Sequence, residues 1–464
     1  MLVPQVASLS KSLRFQSRFA CSRFACSRFA CSRFLLHFFQ KWILLSPVIT
    51  MLLFNLLSHI FCYLVGWYNY DHLIRQTIDA LIKHNIIFIK VFQALSSNEF
   101  FTKKFNNHLK QCTNHANFYQ EDQDETLLAT ILQTYDIELY QNKPINSGMI
   151  ALAYKGKINN TNTDVIIKMK RRNIEQRLIL GYAEFRMFYK IIRWISFNSD
   201  IMNSISSFID TEEYIISQCD FEQEIAAMKR TKREVSETVE KLKIKGLEKI
   251  VIPSVYNHEN DSRFIVIEFL AGVSCFEAEN KYDTLYTLSS FGLTSIFVNS
   301  HFHTDLHPGN IICMNNGQLG IIDFGMTVEV SSKINAGFMG VIQILMGNIN
   351  SNDKSADYLS CFTQMVEPPL DLSLLTTAEC DTANVILTDL FTSLFCGKLT
   401  EYEIRIYLKK IFGVSKKSRD YRISLPCFKL LLGFTMFNSS VFSLSNDTTV
   451  INEIQMEIFV DVFM

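Results

Sequence analysis

The chain has 464 residues, of which 48% are hydrophobic and 20% are charged, and its formal net charge is −1. This length allows two or three domains, and the composition is typical of folded protein rather than of a disordered chain. A near-neutral charge argues against a general nucleic-acid-binding protein, which needs a basic excess. The 12 cysteines include no CxxC pair, so neither a zinc site nor a disulfide scaffold is predicted.

Residues 1–41 form a basic segment without any aspartate or glutamate, and they contain the repeat SRFACSRFACSRFACSRF. An N-terminus that is rich in arginine and serine and free of acidic residues is typical of an organellar transit peptide. A recent repeat expansion without a function is the alternative interpretation.

Residues 42–67, WILLSPVITMLLFNLLSHIFCYLVGW, contain no lysine, arginine, aspartate or glutamate. About 20 apolar residues suffice to cross the hydrocarbon core of a bilayer, and tryptophan at each end suits the two interfaces. The segment therefore predicts a transmembrane helix. Pro47, Asn55 and His59 leave a buried or interfacial hairpin as the alternative.

Residues 68–135 have apolar residues at helical spacing, as in LIRQTIDALIKHNIIFIKVFQAL, and predict a helical N-terminal extension. The pattern then becomes β-rich: IALAYKGKI and DVIIKM flank the turn-forming NNTNT, which predicts a hairpin. A further strand, RFIVIEFL, follows a helical stretch that contains DFEQEIAAMKRTKREVSETVEKLK. After residue 327 the chain is helical again.

This order of elements predicts an α+β protein with a two-lobed, protein-kinase-like fold. The N-lobe is expected at residues 136–270 and a helical C-lobe at residues 271–464. Because one fold serves many functions, function has to be argued from particular residues.

The segment HTDLHPGNIICMNNGQLGIIDFG, residues 303–325, concentrates residues that bind metals or catalyse reactions. His303, Asp305 and His307 alternate and would share one face of a strand, which suggests a zinc site. Pro308 and Gly309 argue against a strand here, and no fourth ligand follows at a typical spacing.

A magnesium site explains more of the same segment. The runs NIICM and QLGIID are joined by the turn NNG, so a hairpin would bring Asn310 and Asp323 together at its open end. Their oxygens are ligands that Mg²⁺ prefers. Asp305 precedes Asn310 by five residues, as in the kinase pattern H-R-D-x-x-x-x-N, in which the aspartate orients or deprotonates the attacking hydroxyl.

Phosphate transfer also requires a cation for the phosphates. Lys168, in DVIIKM, matches the strand lysine of the kinase V-A-I-K pattern, although a solvated lysine at a strand end is the alternative. Glu224, in the helix DFEQEIAAMK, is its expected ion-pair partner, with Glu222 and Glu234 as competing choices.

Together, HTDLHPGN and IIDFG resemble the motifs of the UbiB-like atypical kinases, also called aarF-domain kinases. Ordinary protein kinases lack the His-Pro-Gly insertion. Four further segments resemble the family's Ala-rich loop, lysine strand, E-x-D helix and K-x-G-Q motif: KPINSGMIALAYKG, DVIIKMKRRNIEQRL, QCDFEQEIAAMKR and IKVFQALSS. The resemblance covers residues 86–327, and the helical C-lobe is plausibly included.

The resemblance implies a set of roles for residues of this chain. Asp305 is the catalytic-loop acid, and Asn310 and Asp323 are the metal ligands. Lys168 binds phosphates and pairs with Glu224. The nucleotide-binding set further comprises Asn146, Ser147, Gly148, Met149 and Glu268. Lys90, Gln93 and Asp220 belong to the regulatory contacts of the extension, which in this family packs across the site where a protein substrate would bind.

The chain departs from the family at four positions. Phe92 replaces the glycine of K-x-G-Q, and Gln218 replaces the glutamate of E-x-D, which in the family would pair with Lys90. This loss either weakens the hold of the extension or leaves Asp220 as the partner of Lys90. Gly148 stands where alanine is usual, and Leu152 occupies the position of a usual glutamine. A divergent member is predicted, with its regulatory geometry changed more than its metal site.

The resemblance implies ATP and Mg²⁺ as cofactors, with membrane lipids or quinone intermediates as further partners. The expected function is that of an atypical kinase or ATPase that supports ubiquinone biosynthesis or lipid homeostasis. Membrane association is expected, with the mitochondrial inner membrane as the compartment and a membrane-bound biosynthetic complex as a partner. A nucleotide-binding pseudokinase scaffold is the alternative. A conventional protein kinase is disfavoured, because MTVEVSSKINAGFMGVIQIL leads straight into a helix without an A-P-E motif.

Overall fold

The structure of the chain is a computed structural model that describes residues 58, 64–66, 69–96, 119–195, 209, 212–256, 261–350, 357–397, 399–415 and 422–463. The basic segment predicted at residues 1–41 lies outside these ranges. The predicted transmembrane helix at residues 42–67 also lies outside them, apart from residues 58 and 64–66. Both interpretations therefore remain predictions from the sequence.

In the described ranges, three helices precede the first sheet, as the helical spacing of residues 68–135 predicts: α1 (Tyr70–His84), α2 (Phe88–Ser96) and α3 (Glu125–Thr134). Asn69 and Asp124 begin α1 and α3, because their side-chain oxygens accept hydrogen bonds from N–H groups of the first turn. The apolar faces of α1 and α2 are buried in one cluster with helix α4 (Ile174–Ile195).

The first sheet is antiparallel and has five strands: β1 (Ile137–Leu139), β2 (Asn146–Ser147), β3 (Ala151–Ile158), β4 (Thr163–Lys170) and β6 (Phe264–Glu268). The predicted hairpin is confirmed, since β3 and β4 pair along their whole length with Ala153 opposite Lys168. Val165, Ile167 and Met169 are buried on one face of β4. Because side chains alternate along a strand, Lys168 points to the other face.

Of the part of the chain between α4 and β6 that the structure describes, two segments are α-helices: α5 (Glu212–Ser217) and α6 (Phe221–Leu242). Asp220 begins α6, because its carboxylate accepts hydrogen bonds of 3.1 Å from the N–H groups of Glu222 and Gln223. The helix buries an apolar stripe that includes Met228 and Val235. Its first turns therefore have a defined orientation relative to the sheet.

A second sheet has the strand order β5-β10-β9-β7, formed by β5 (Ile250–Val251), β7 (Gly272–Ser274), β9 (Ile311–Met314) and β10 (Leu319–Ile321). The antiparallel pairing of β9 with β10 confirms the predicted hairpin, and Gly317 at its turn has φ of 79°, which favours glycine. This hairpin brings the segments around Asn310 and Asp323 to one end of the sheet.

Two short strand pairs complete the described β structure: β8 (His301–His303) with β11 (Thr327–Glu329), and β12 (Val366–Glu367) with β13 (Arg422–Ile423). The prediction that the chain enters a helix directly after the Asp-Phe-Gly segment was wrong, because strand β11 lies between that segment and the next helix. Its pairing partner β8 leads into Asp305, so β11 holds the two functional loops side by side.

The rest of the described chain is helical: α7 (Lys281–Phe297), α8 (Ser332–Asn350), α9 (Tyr358–Thr363), α10 (Thr377–Phe395), α11 (Glu401–Gly413), α12 (Leu425–Leu444) and α13 (Thr448–Phe463). Helix α7 is buried from Leu285 to Phe297. Its Gly292 allows α12 to approach closely, since a Cβ there would lie 2.3 Å from Cε2 of Phe437. α7 and α12 thus form the centre of the largest core.

Among the described residues, one helix, α12, has the length and apolar composition of a membrane span. In its most apolar window, 61% of the residues are buried inside the protein. Core helices pass the same test of length and composition, so the evidence for a membrane span at α12 is weak.

Candidate active site

Lys168 lies at the centre of the candidate site and contacts two carboxylates. Its ammonium is 2.8 Å from Oε1 and 3.0 Å from Oε2 of Glu224, and 2.7 Å from Oδ1 of Asp323. β4 presents the lysine, the first turn of α6 presents the glutamate, and the segment after β10 presents the aspartate. One cation thus bridges three separate elements of the fold.

The orientation of α6 decides which glutamate meets Lys168. Glu224 is on the face that packs toward the sheet and is only 3% exposed, whereas Glu222 faces solvent. Glu234, the other competing choice, accepts a hydrogen bond of 2.6 Å from Arg230 and lies 3.4 Å from Nδ1 of His301. The structure therefore pairs Lys168 with Glu224.

The two carboxylates that contact Lys168 have opposite pKa shifts. Burial raises the pKa of Glu224 to about 7, although Lys168 lowers it. Partial burial also raises the pKa of Asp323, which is 46% exposed, but Lys168 outweighs this effect and holds that pKa at about 2. Burial lowers the pKa of Lys168, but its two carboxylate partners raise it by more. At neutral pH the exposed carboxylate is charged.

Asp305 lies in a loop held at both ends. Its backbone N–H donates to Nδ1 of His303 at 3.1 Å, and its carbonyl oxygen accepts a hydrogen bond of 2.9 Å from Nδ2 of Asn310. The next residue, Leu306, is fully buried, and its carbonyl accepts a hydrogen bond from Ser440 of α12 at 2.5 Å. The carboxylate of Asp305 remains 24% exposed. A fixed backbone with an accessible carboxylate suits a residue that meets a substrate.

Asn310 and the Asp323 segment are joined through the backbone. The N–H of Ile322 donates to the carbonyl oxygen of Asn310 at 3.0 Å, which extends the β9–β10 hairpin by one step. The side-chain nitrogen of Asn310 donates to the carbonyl oxygen of Asp305, and its Oδ1 makes no hydrogen bond within the described part of the chain. A free amide oxygen on the same hairpin end as the ionised Asp323 fits a hard cation such as Mg²⁺.

The Asp-Phe-Gly segment has a strained and anchored backbone. Asp323 has φ of 62°, in the left-handed region that non-glycine residues rarely adopt. Phe324 is buried, and its ring meets the ring of His303 edge to face with centroids 4.9 Å apart. Such strain persists when the surroundings determine the conformation, and it is concentrated at functional sites.

The two histidines of the segment act structurally. Burial lowers the pKa of His303, so its ring is neutral at neutral pH. Nδ1 of His307 accepts a hydrogen bond of 3.0 Å from the N–H of Gly309 and begins the turn Pro308–Asn310. In the described ranges no group of three or more His, Cys, Asp or Glu side chains could hold a metal ion, which argues against the zinc interpretation.

The predicted nucleotide loop, residues 146–149, closes one end of β3. Asn146 and Ser147 pair with β3 as strand β2, and the N–H of Gly148 donates to the carbonyl of Ala151 at 2.9 Å. A Cβ on Gly148 would make an ordinary contact of 3.6 Å with that carbonyl, so this backbone also accepts alanine. Met149 is buried in the cluster that includes Phe92 of α2. The N-terminal extension therefore packs against this loop.

The predicted regulatory residues are not joined by any hydrogen bond or ion pair between described side chains. Lys90 lies on α2, whereas the carboxylate of Asp220 is occupied as the cap of α6. Gln218 donates instead to the sulfur of Met326, beside the Asp-Phe-Gly segment. Gln93 lies in α2, but its side chain is outside the described residues. A Lys90–Asp220 pair, one of the two alternatives left by the missing glutamate, is absent among the described side chains.

Glu268 ends β6, and Ser254 holds it there. The N–H of Glu268 donates to the Ser254 carbonyl at 2.9 Å, and its Oε2 accepts from the Ser254 N–H at 3.1 Å. On its other side the strand pairs with Val165 of β4. The structure thus gives Glu268 a structural partner, and its part in nucleotide binding remains a prediction.

A buried charge cluster behind the nucleotide loop was missed by the sequence analysis. Arg171, directly after β4, donates to the carbonyl of Gly148 at 2.9 Å and to Oγ of Ser147 at 2.7 Å. Its guanidinium also pairs with the fully buried Asp122, which accepts a second hydrogen bond of 2.6 Å from Arg177. The cluster ties the loop to the turn before α3. Asp122 and Arg171 lie in charged runs that are 49 residues apart in the sequence. This pattern is too weak to predict that the two residues are in contact.

A strand lysine bridged to a helix glutamate and to an Asp-Phe-Gly aspartate, beside a D-x-x-x-x-N loop, is the arrangement of a kinase-like phosphate site. The ABC1 atypical kinase-like domain matches residues 89–357 of this chain, more than half of its length. The chain belongs to this family. The resemblance to UbiB-like proteins that the motifs indicated is thereby confirmed.

Several proteins share this similarity. An aarF domain-containing protein kinase of the Arabidopsis thaliana chloroplast is 24% identical over 197 residues, which cover 41% of this chain and 35% of the relative. A probable protein kinase UbiB of Vibrio campbellii is 21% identical over 241 residues, which cover 50% of this chain and 40% of the relative. The chain thus spans less than half the length of these two relatives.

Among solved structures, the complex of Rv3197 with erythromycin from Mycobacterium tuberculosis superimposes on 80% of this chain and 94% of that chain. The TM-score is 0.40 and the sequence identity is 14%. The described chain itself is a mixed α+β protein.

Proposed function

We propose that the chain is an ATP- and Mg²⁺-dependent atypical kinase or ATPase. The observation that carries this proposal is the contact of one ammonium, that of Lys168, with both Glu224 and Asp323. In kinase-like sites a buried glutamate orients the lysine toward the nucleotide phosphates, and the aspartate holds metal ions on them. Membership of the atypical kinase-like family supports the same function.

In this proposal the residues around Lys168 divide the work. Asp323 and Asn310 would hold Mg²⁺, which supplies positive charge that stabilises the phosphates in the transition state. Lys168 binds phosphate oxygens while Glu224 keeps it in position. Asp305, whose backbone is held by His303 and Asn310, orients the acceptor hydroxyl or water and accepts its proton.

The nucleotide is proposed to lie between residues 136–270 as one lobe and residues 271–464 as the other. The loop 146–149 covers the phosphates, and Glu268 belongs to the strand that borders the nucleotide. Support comes from the position of this loop at the end of β3, next to the strand that carries Lys168.

We propose membrane association and a role in ubiquinone biosynthesis or lipid homeostasis, with membrane lipids or quinone intermediates as partners in a biosynthetic complex. The uncharged segment 42–67 and the relative named UbiB support this proposal. The mitochondrial inner membrane is the proposed compartment, although a matched relative is chloroplastic. Imaging a tagged full chain and a chain that lacks residues 1–41 tests it, because identical distributions would contradict a targeting role for that segment.

A nucleotide-binding pseudokinase scaffold is the second candidate function. The observation that favours it is the direct ion pair between Lys168 and Asp323, since the lysine occupies the carboxylate that a metal ion needs. The departures at Phe92 and Gln218 point the same way.

ATP turnover by the purified full chain separates these two functions. The active enzyme is expected to release phosphate with Mg²⁺ at a rate well above that of Asp323→Asn, which keeps the size of the side chain but lacks its charge. Nucleotide binding without turnover above this control would reject the enzyme and favour the scaffold. A melting curve of each protein checks that both are folded.

A further inference from the structure

Lys429 is a half-buried lysine whose positive charge has no acidic partner. It lies on α12, and its ammonium is 4.9 Å from the ring centroid of Tyr214 on α5. Burial lowers its pKa. No aspartate or glutamate in the described ranges pairs with it, and its ammonium instead lies over the tyrosine ring. A partly desolvated cation without a counter-charge favours the binding of an anion.

Helix α12 places this lysine beside the loop of Asp305. A Cβ on Gly433 would lie 2.6 Å from Cα of Thr304, so the helix touches the loop backbone at this point. Lys429 is four residues earlier, or about 6 Å along the helix axis. The tyrosine beneath Lys429 reaches the same loop, because the hydroxyl of Tyr214 is 3.4 Å from Oγ1 of Thr304.

The loops of the candidate site contain no permanent cation of their own. From Tyr282 to Ser332 the sequence has no lysine or arginine, and this span includes Asp305, Asn310 and Asp323. In the proposed function, Lys168 and the metal ion would meet the phosphates of the nucleotide rather than a phosphate on the acceptor. A phosphate that approaches Asp305 therefore needs positive charge from another element, and a preorganised cation stabilises such charge best.

We propose that Lys429 and Tyr214 form a binding subsite for a phosphate group on the acceptor side of Asp305. Lys429 supplies the charge, and the tyrosine ring and hydroxyl hold the lysine against the catalytic loop. A free phosphate ion and a phospholipid headgroup present the same chemistry to this subsite. Its place in a reaction rests on the proposed function, but phosphate binding can be measured without turnover.

Titration calorimetry of inorganic phosphate into the full chain tests whether the subsite binds free phosphate ion. Lys429→Met is expected to raise the dissociation constant at least tenfold, whereas Lys429→Arg keeps most of the affinity. Lys410→Met is the matched control, because Lys410 also lies over a tyrosine ring, that of Tyr407 at 5.5 Å, but is exposed on α11. Melting curves confirm that the variants are folded.

Flotation of the protein with vesicles tests whether the subsite binds a phospholipid headgroup. Vesicles of phosphatidylcholine alone are compared with vesicles that also contain phosphatidylglycerol, and a headgroup site predicts that Lys429→Met loses binding to the second kind only. If Lys429→Met equals Lys410→Met in both assays, the subsite is refuted. Phosphate binding that depends on Lys429 in a protein without ATP turnover would reject the proposed enzyme and retain the subsite. ATP turnover by a protein whose phosphate binding does not depend on Lys429 would reject the subsite and retain the proposed enzyme.

Discussion

The ammonium of Lys168 lies 2.7 Å from the carboxylate of Asp323, although 155 positions separate the two residues in the chain. The same ammonium contacts the buried Glu224, so two carboxylates share one cation. In the function proposed above, Asp323 would hold the metal ion and Lys168 would bind the phosphates. The contact between Lys168 and Asp323 therefore joins two residues that have separate roles in that proposal.

Replacing Lys168 by methionine is expected to lower the nucleotide affinity at least tenfold. It also leaves the buried Glu224 without its cation, which is expected to lower the free energy of unfolding by on the order of 1–3 kcal/mol. The loss is limited to this range because the carboxyl of Glu224 can take up a proton. Urea denaturation and fluorescent nucleotide binding measure the two effects. Lys155→Met is the control, since this strand lysine pairs at 3.4 Å with the exposed Asp164 and is expected to change stability by less than about 1 kcal/mol.

Asp323→Ala and Asn310→Ala are each expected to abolish the dependence of ATP binding on Mg²⁺. Each variant removes one oxygen ligand from the proposed metal site. Because the protein supplies only two ligands in this proposal, the loss of either is expected to prevent Mg²⁺ binding. Calorimetric titration with ATP in the presence and in the absence of Mg²⁺ measures this dependence. An affinity that still rises with Mg²⁺ in either variant would contradict the assignment.

The raised pKa of Glu224 predicts a pH dependence of stability. Its pKa is about 7 in the folded protein against 4.5 for an ordinary glutamate, so the folded state binds more protons between these values. The contribution of this group is fully present below pH 4.5 and is lost as the pH rises through 7. Asp323 does not interfere, because its pKa is lowered to about 2 and it titrates below this range.

Glu224→Gln removes this titration. Relative to that variant, the wild-type chain is expected to lose on the order of 1–3 kcal/mol of unfolding free energy as the pH rises from 4.5 to 7. Urea denaturation of both proteins across this range provides the comparison. Parallel pH profiles would show that Glu224 is charged throughout.

Arg171 is expected to position the nucleotide loop without touching the nucleotide. Arg171→Met removes its hydrogen bonds to Ser147 and Gly148 and weakens the pairing of the buried Asp122, so we expect about 3–5 kcal/mol of destabilisation and roughly tenfold weaker nucleotide binding. Arg177→Met is the control, because Arg177 also pairs with Asp122 but is 36% exposed and makes no hydrogen bond to the loop within the described chain. Equal nucleotide affinities of the two variants would refute the positioning role.

Gly433 is expected to be indispensable for the approach of α12 to the catalytic loop. In Gly433→Ala the new Cβ would meet backbone of Thr304 at 2.6 Å, and such overpacking costs about 1–3 kcal/mol and displaces Asp305. Gly413→Ala, at the end of α11, meets nothing within 4 Å and is expected to leave stability unchanged or slightly raised. Thermal melts and ATP turnover of both variants test this difference.

Much of the candidate site could be predicted because its parts are local. The D-x-x-x-x-N spacing and the β9–β10 hairpin lie within residues 303–325, and the turn residues Asn316 and Gly317 determine how this segment folds back. The β3–β4 hairpin that presents Lys168 is local in the same sense. Alternation along a strand and helical spacing are short-range rules of backbone geometry, so they can be read without knowing the rest of the chain.

The sequence by itself determined the family, the hairpins and the candidate residues for binding phosphate and metal, since these depend on neighbouring residues and their spacing. Only the tertiary structure decided that Glu224 rather than Glu222 or Glu234 meets Lys168, because the buried stripe of α6 sets which side faces the sheet. It also decided the contact of Arg171 with Asp122 and the approach of α12 at Gly433 to the loop of Asp305. These partners come from elements whose relative position depends on how their apolar faces pack, and no local pattern encodes that packing.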